Sequence, residues 1–262
     1  MKLKSKILLS LLATSSATFA QTAPAAPEST IAYNIGVVSQ YRYRGLAQTR
    51  GTPALQGGVD YSNTNGIYLG AWASTIRWIE DSSNSSYAVD GKTELDLYAG
   101  YKFESSGLAY DLGLLRYQYI GNSLNKHADY TNANTNEIYG AVTHGAYTLK
   151  YSRAVSSSMF GYKSSQGSSY IDLTANYDLG AGFTLSPHAG HQHVNGTTAT
   201  YYPAGLSYSD YSVTLTKDLG AGVSASVAAI STNAKHSISF LSNNSSYNTA
   251  RDALVVGVKY TF

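Results

Sequence analysis

The last ten residues of the chain, Ala-Leu-Val-Val-Gly-Val-Lys-Tyr-Thr-Phe at positions 253–262, decide the fold class. Apolar side chains occupy every second position from Leu254 to Phe262, which is the two-residue period of a β-strand with one apolar face. Lys259 and Thr261 fall on the other face. An amphipathic helix would need apolar residues three and four positions apart, so this segment predicts a strand.

The same alternation recurs along the chain, and no stretch beyond Thr30 has helical spacing. The predicted strands are the twelve runs 31–43, 53–62, 66–78, 92–104, 107–119, 135–144, 146–154, 168–178, 182–193, 205–217, 222–231 and 251–262. Short turns alternate with long polar loops, which are predicted at 44–52, 79–91, 120–134, 155–167, 194–204 and 232–250. One turn, Asp-Leu-Gly-Ala-Gly, occurs at both 178–182 and 218–222, and its glycines suit the positive φ of a tight hairpin. The pattern indicates an up-and-down meander.

The composition narrows the class of protein. Only 13% of the residues are charged, about half the ~25% of an average soluble domain, while Tyr and Gly each occur 24 times. Tyrosine has an apolar body, a polar tip and high strand propensity, which suits strands that meet both an apolar and a wet phase. The chain has no cysteine, which excludes disulfides, thiolate metal sites and thiol catalysis. No apolar run approaches ~18 residues, so no transmembrane helix is predicted.

The first twenty residues have the order of a secretory signal peptide. Basic residues end at Lys6, an apolar stretch follows, and Thr18-Phe19-Ala20 satisfies the small-x-small rule for cleavage before Gln21. Three of the 18 basic residues lie in this segment, so the exported chain has 15 basic and 16 acidic residues. A nucleic-acid partner is therefore not expected.

Twelve antiparallel strands can form a soluble β-sandwich or a membrane β-barrel. A sandwich buries its apolar faces between two sheets, whereas a barrel points them at lipid and must close. Four features favour the barrel: strands near the ~9–11 residues needed to cross, an even strand number, alternating short and long connections, and an aromatic last residue. We therefore predict an all-β fold, an antiparallel up-and-down transmembrane β-barrel of about 12 strands with short periplasmic turns and long extracellular loops.

Organisation, location and partners follow from this fold. We expect a signal peptide at 1–20, a flexible periplasmic lead at 21–30 and a barrel domain at 31–262, placed in the outer membrane of a Gram-negative cell. The expected partners are outer-membrane lipid and the outer-membrane assembly machinery, since Tyr260 and Phe262 resemble the terminal signal that this machinery reads. Pro187 lacks the N–H that a closed ladder needs, so a bulge or local break is expected there.

Residues 38–51 carry a family resemblance. They read Val-Ser-Gln-Tyr-Arg-Tyr-Arg-Gly-Leu-Ala-Gln-Thr-Arg-Gly and resemble the amino-terminal signature of the TorF family of porin-like proteobacterial outer-membrane proteins. Residues 53–61, 66–70 and 255–262 resemble that family too, while Ala47 stands where Ser is expected. The resemblance implies a porin-like barrel and supplies no substrate.

Sorting side chains by face gives candidates for the pore lining. With each apolar phase placed outward, the charged residues assigned to the lumen are Arg42, Arg44, Asp60, Glu94, Asp96, Lys102, Asp111, Glu137, Lys150, Asp172, Asp210 and Lys259. A lipid-facing Arg or Lys costs ~2–4 kcal/mol at the bilayer midplane, so the inward assignment is favoured. Arg42 and Arg44 occupy successive inward positions of the first strand. They are expected to oppose the carboxylates of Asp60, Glu94 and Asp96, which lie on the second and fourth predicted strands. Arg116 falls on an outward phase, where it lies above the hydrocarbon or marks a bulge.

The size of the barrel leaves the state of the lumen open. A strand spacing of ~4.8 Å and a tilt of ~40° give a radius of ~12 Å and a lumen at most ~12 Å across. The predicted function is a porin-like channel for passive passage of ions or small polar solutes, with opposed charges that select ions. The alternatives are a non-conducting barrel held by salt bridges, and an adhesive or receptor barrel that acts through Ser- and Asn-rich loops such as 81–87 and 243–248.

No enzyme activity, cofactor or metal site is predicted. A serine hydrolase needs a serine polarised by a histidine, and neither a G-x-S-x-G elbow nor a histidine-centred serine motif occurs. In the cluster at 188–193, His191 and His193 share one strand face and His188 lies on the other, so at most two can hold one metal ion. The Gly-Ala-Gly turns lack the third glycine and the helix of a dinucleotide fingerprint.

Overall fold

The computed structural model describes residues 28–83, 85–195, 206–235 and 247–262. The predicted signal peptide and most of the predicted lead lie outside these ranges. The strands are β1 (Ser29–Val38), β2 (Arg42–Tyr43), β3 (Leu46–Ala47), β4 (Ala54–Asn63), β5 (Ile67–Thr75), β6 (Thr93–Ser105), β7 (Leu108–Ile120), β8 (Thr135–His144), β9 (Tyr147–Ala154), β10 (Ser169–Ala175), β11 (Tyr177–Gly180), β12 (Phe183–His193), β13 (Tyr208–Gly220), β14 (Val223–Thr232) and β15 (Ala253–Thr261). The helices are α1 (Trp78–Asp81) and one 3-10 turn (Leu124–Lys126), and no helix in the described ranges is long and apolar enough to cross a membrane.

The sheet closes on itself into an antiparallel barrel. Its strand order runs from β10 through β9, β8, β7, β6, β5, β4, β1, β15, β14 and β13 to β12, and β12 pairs with β10. The segments β10 and β11 both pair with β12 and together make one spanning strand, which gives twelve around the wall. The ends of the chain meet where β1 pairs with β15, for example Ile35 with Tyr260. The predicted all-β, twelve-strand barrel is confirmed.

The outer surface of this barrel is apolar. Large apolar side chains at alternate positions of the strands are exposed, such as Leu114 at 61% and Leu254 at 66%. Their inward neighbours Leu115 and Val255 are buried. An exposed apolar face is the reverse of a soluble sandwich, which buries its apolar faces, and it is the arrangement that lipid stabilises.

The first strand is shorter than its sequence pattern predicts. The other strand ends agree with the predicted runs to within three residues, but β1 ends at Val38 rather than at residue 43. Residues 39–53 turn into the barrel, and β2 and β3 pair there as a small hairpin with Arg44 and Gly45 at its tip. Both tip residues have positive φ, 46° and 80°, as a two-residue type I′ turn requires. The expected position of Arg42 and Arg44 on the first wall strand is therefore wrong, because an alternating pattern fits the inner hairpin equally well.

The predicted irregularity at Pro187 is present. Pro187 pairs with Val213 of β13, but on its other side the ladder stops between the pairs Thr174–His188 and Tyr177–Leu185. The interruption separates β10 from β11 at Asn176, whose N–H donates instead to the carbonyl of Ala146 at 2.9 Å. The missing N–H of proline thus coincides with a gap in one ladder.

Buried apolar side chains gather inside the loop end of the barrel. The cluster combines the inner hairpin with the long loops, and its members include Tyr41, Leu46, Trp78, Ile79, Tyr119, Leu124 and Met159. Because these rings and chains come from loops that all lie on the same side, the apolar core of the molecule occupies the loop end of the lumen.

Candidate permeation pathway

The inner hairpin, residues 39–53, crosses most of the lumen. Its side chains reach several strands at once: the Tyr41 hydroxyl donates to Glu94 Oε1 at 2.8 Å, and the Tyr43 and Tyr117 hydroxyls lie 2.6 Å apart. At the tip, Arg44 Nη2 lies 2.8 Å from Glu137 Oε2. Glu137 lies on β8, five strands from β1 in a wall of twelve, so the tip contacts almost the opposite side.

The Arg44–Glu137 pair is the central ionic contact. The two side chains are 6% and 2% exposed, and Arg44 Nη1 also donates to Gln192 Oε1 at 2.7 Å. The guanidinium lies 4.8 Å from the centre of the Tyr43 ring and 4.4 Å from that of Tyr170. Burial acts to lower the pKa of Arg44, but the carboxylate of Glu137 outweighs it and holds that pKa well above its usual value. The charged Arg44 side chain therefore joins the tip of the hairpin to the wall through an ion pair.

Arg42 holds the base of the hairpin through the main chain. Its Nη1 atom donates to the carbonyl oxygens of Gly45 and Thr249 at 3.0 Å and of Arg251 at 2.9 Å. Its Nη2 atom has no hydrogen-bond partner among the described residues. The residue ties the hairpin to the segment that precedes β15.

An apolar seal lies beside the hairpin. Its cavity holds only about 40 Å³ and is lined mainly by Tyr43, Leu46, Trp78, Tyr119, Met159 and Phe160. The rings of Trp78 and Tyr119 meet edge to face at 5.1 Å. Apolar and aromatic side chains therefore fill most of the space beside the hairpin.

Below the seal, one half of the lumen is filled by tyrosines. The Tyr68 hydroxyl donates to Asp111 Oδ1 at 2.5 Å and contacts the Tyr139 hydroxyl, while the Tyr98 hydroxyl donates to Asp60. These rings lie over glycines of the paired strand. A Cβ on Gly113, for example, would overlap Tyr139, with which it is paired in register. Inward glycine therefore makes room for inward tyrosine.

The other half of the lumen is open. A cavity of about 460 Å³ extends along strands β9 to β15 and β1, from the tip of the inner hairpin to Lys259 near the short turns. Small hydroxyl and amide side chains line most of it, including Thr184, Ser186, Ser212, Thr214, Thr216, Ser224, Ser226 and Asn34. This hydroxyl-lined cavity is the candidate path for a solute.

The sequence-predicted charged residues fall into three groups. Those at the level of the hairpin are Arg42, Arg44, Glu94, Asp96 and Glu137. Asp96 is 5% exposed, and its Oδ1 has no hydrogen-bond partner among the described residues. The expected opposition of Arg42 and Arg44 to Asp60, Glu94 and Asp96 is wrong. Arg44 pairs with Glu137, and Arg42 donates to main-chain carbonyls. Glu94 accepts from Tyr41, and Asp60 accepts from Tyr98.

The second group, in the tyrosine-filled half, contains Asp60, Lys102 and Asp111. Lys102 Nζ lies 3.8 Å from Asp111 Oδ2 and 4.9 Å from the centre of the Tyr68 ring. Side chains that bond one another in this way brace the lumen and leave little charge for a solute.

The third group, Lys150, Asp172, Asp210 and Lys259, lines the hydroxyl-lined cavity. Between the two aspartates lies His188, whose Nε2 is 3.2 Å from Asp210 Oδ1 and whose Nδ1 is 3.9 Å from Asp172 Oδ1. Neither Lys259 nor Lys150 forms an ion pair with any described residue, but Lys150 Nζ lies 4.0 Å from the centre of the Tyr139 ring.

Sequence reasoning missed Gln192 and His188 as lumen contacts. Strand alternation alone places both inward, but their partners come from the hairpin tip and from β13, which only the tertiary structure brings together. Within the described ranges, no group of three or more His, Asp or Glu side chains is arranged to hold a metal ion.

Comparison with family models identifies the family of the chain. A family model described as a bacterial protein of unknown function, Gcw_chp, matches residues 21–262. The chain belongs to this family. The match does not single out TorF, so the family shown is Gcw_chp. No curated protein matches the sequence significantly.

Solved structures resemble this Gcw_chp barrel in fold. One is the KdgM porin in complex with disordered oligogalacturonate, with a TM-score of 0.51, 11% identity, and coverage of 89% of this chain and 99% of that one. Another is the NanC porin, with a TM-score of 0.52, 10% identity, and coverage of 88% and 99%. At this identity the likeness shows the fold, which is that of outer-membrane porins.

Proposed function

We propose that this Gcw_chp barrel is an outer-membrane channel for passive passage of ions or small polar solutes, and not an enzyme. One observation carries the proposal: the cavity of about 460 Å³ continues from the hairpin tip to Lys259, close to the short turns. Its hydroxyl lining suits hydrated or polar solutes. The inner hairpin forms the constriction through which a solute passes at the other end.

The orientation belongs to the same proposal. The long loops face the cell exterior and the short turns face the periplasm, as alternating connections favour. Residues 1–20 direct export, and the resemblance of residues 38–51 to TorF proteins agrees with this location. The lead in the periplasm begins at residue 21 and ends before residue 29 rather than at residue 30, because β1 begins at Ser29. Outer-membrane lipid surrounds the exposed apolar face, and the assembly machinery inserts the barrel.

A non-conducting role has one observation in its favour. The seal and the Arg44–Glu137 pair fill the loop end of the lumen. Recordings of purified wild-type protein in planar bilayers decide between the two functions. Unitary currents support the channel, whereas folded, inserted protein that never conducts favours a structural or adhesive barrel that acts through its loops.

Lys259 is expected to set part of the ion preference. Its charge faces the cavity without an ion-pair partner in the described structure, so Lys259→Gln should shift the reversal potential towards cations. The shift should be larger at 0.1 M than at 1 M salt, because the Debye length falls from ~10 Å to ~3 Å. Reversal potentials under a salt gradient measure it.

Lys217→Gln is the matched control for that measurement. Lys217 lies near the same end of the barrel, but its Nζ is 4.5 Å from the centre of the Phe183 ring, which is exposed on the outer surface. The Lys217→Gln substitution should leave the reversal potential unchanged. Equal shifts in the two variants would remove Lys259 from the selectivity mechanism.

Phe262 is expected to be needed for efficient assembly. Its N–H donates to the Tyr33 carbonyl at 2.9 Å, and its ring stacks on Tyr33 and Tyr260 with centroids 5.7 and 5.1 Å apart. Deleting Phe262 removes both the last ladder bond and the terminal aromatic signal. The folded outer-membrane yield, read from heat-modifiable migration on gels, should fall well below that of Phe262→Tyr.

Tyr33→Ala tests whether the loss of ring stacking alone explains that fall in yield, because its main-chain hydrogen bonds with Phe262 remain. This variant removes the stacking partner but keeps the carboxy-terminal aromatic residue. If the terminal signal dominates, Tyr33→Ala assembles like wild type and only the deletion fails. Wild-type yield from the deletion would contradict the signal role.

A further inference from the structure

The outer face of strands β7 to β12 changes character towards the loop end. In the middle of these strands the outward side chains are apolar, as at Leu114, Ile138 and Ile171, which are 61%, 43% and 44% exposed. Nearer the loops most outward positions of these strands are polar, although Ile120 at the end of β7 is apolar. The polar ones are Arg116, Gln118, Asn136, Arg153, Ser169 and His193. No Asp or Glu faces outward in this half of these strands. The result is a basic patch where the wall leaves its apolar band.

The Arg116 side chain is held by hydrogen bonds to neutral groups, and no carboxylate of a described residue pairs with its charge. Its Nε and Nη2 atoms donate to Gln118 Oε1 at 3.0 and 2.6 Å, and its Nη1 atom donates to Asn136 Oδ1 at 3.0 Å. These acceptors are neutral amides. They use three of the five guanidinium N–H groups and leave two for a ligand.

Arg153 lies two strands away on the same face. In register, Arg153 pairs with Ile138 of β8 and with Ser169 of β10, while Arg116 pairs with Asn136 of β8. Two strand spacings and a two-residue offset place the two Cα atoms roughly 12 Å apart. Both guanidinium groups can therefore reach one ligand that spans the strands between them.

The two arginines differ from the other basic residues of the rim. Arg50 and Arg77 lie 3.3 and 3.9 Å from Asp81, and Lys92 lies 3.3 Å from Glu80. Neither Arg116 nor Arg153 forms an ion pair with any described residue. Their charge is available to something outside the protein.

We infer that Arg116 and Arg153 bind the phosphorylated sugar headgroup of a lipid in the outer leaflet. Arginine recognises phosphate through paired hydrogen bonds and is weakly hydrated, which suits a site at the edge of the hydrocarbon. The neighbouring Gln118, Asn136 and Ser169 offer neutral polar groups to sugar hydroxyls, and the apolar band below meets the acyl chains. The assignment of the leaflet rests on the proposed orientation, with the loops outside.

The test is lipid binding by the purified, folded full-length barrel in detergent, followed by native mass spectrometry. The probe is diphosphoryl lipid A, with monophosphoryl lipid A and inorganic phosphate as comparison ligands. Arg116→Gln/Arg153→Gln should weaken binding of diphosphoryl lipid A by about tenfold or more, since both charge-assisted contacts are lost. Arg77→Gln/Lys92→Gln removes the same charge from the same rim and should leave binding within about twofold, because those residues are already paired.

Each outcome bears on the proposal. Weaker binding of monophosphoryl lipid A, and no displacement by millimolar inorganic phosphate, support a lipid headgroup site. Equal loss in both double variants, or full competition by inorganic phosphate, overturns it. Conductance of the same samples separates this test from the channel proposal. A barrel that conducts but does not bind lipid A overturns only the lipid site. A barrel that binds lipid A but does not conduct overturns only the channel. Heat-modifiable migration verifies that both double variants fold.

Discussion

Glu137→Leu is expected to raise single-channel conductance several-fold by releasing the inner hairpin. The substitution leaves the guanidinium of Arg44 buried without its carboxylate, and breaking a buried ion pair costs about 3–5 kcal/mol. A change of about 3 kcal/mol shifts the equilibrium between a docked and a displaced hairpin tip by on the order of 100-fold, while Tyr41 and Arg42 still hold the base of the hairpin. Planar-bilayer recordings compare its unitary conductance and open probability with those of wild type.

The double variant Arg44→Met/Glu137→Met makes this result specific to the pair. It removes both charges of the pair and fills their volume, so neither partner is left buried alone and the hairpin should stay inside. Arg50→Ala controls for loss of a hairpin arginine, since Arg50 pairs with Asp81 at the rim and its side chain is 37% exposed. If the double variant conducts as well as Glu137→Leu, the Arg44–Glu137 ion pair does not hold the hairpin in the lumen.

Gly45→Ala is expected to open the channel by a steric route. A Cβ on Gly45 would lie 2.7 Å from the Asp210 Cβ and 3.0 Å from the Thr232 Cβ, and the φ of +80° is unfavourable for any other residue. The hairpin tip must therefore move away from β13 and β14. Conductance should rise while the barrel stays folded, because the wall strands keep their pairing.

Gly107→Ala is the matched control for the steric effect. Gly107 has nearly the same φ, +79°, but a Cβ there meets nothing within 4 Å. It imposes the same kind of backbone strain without a clash and should conduct like wild type. Unchanged conductance in Gly45→Ala would show that the hairpin tip does not limit passage.

The wall of the barrel was predictable because lipid imposes a simple rule on it. Each strand needs an outward apolar face, and alternation such as that of residues 253–262 identifies this face directly. Even the break beside Pro187 follows from one missing N–H. The inward placement of Lys102, Lys150 and Lys259 needed no knowledge of the tertiary structure.

The inner hairpin was not predictable by the same rule. Residues 39–47 alternate as a strand does, and nothing in that period distinguishes a wall segment from a hairpin inside the lumen. The Arg44-Gly45 turn is a weak local signal, since Gly favours positive φ and Arg does not. Which carboxylate pairs with Arg44 depends on how far the hairpin reaches across the lumen, and this distance is set by strands distant in sequence.

The uneven filling of the lumen has a consequence for how such a barrel can change over evolutionary time. The tyrosines that hold its cross-section sit on one arc of wall, whereas Ser212, Thr214 and Ser226 border the open side without supporting those rings. Exchanges among these small residues alter the width and polarity of the path and leave the bracing bonds intact. The bonds that brace the barrel and the lining of the open cavity thus lie on different arcs of the wall, so the lining can drift while the bracing residues are conserved.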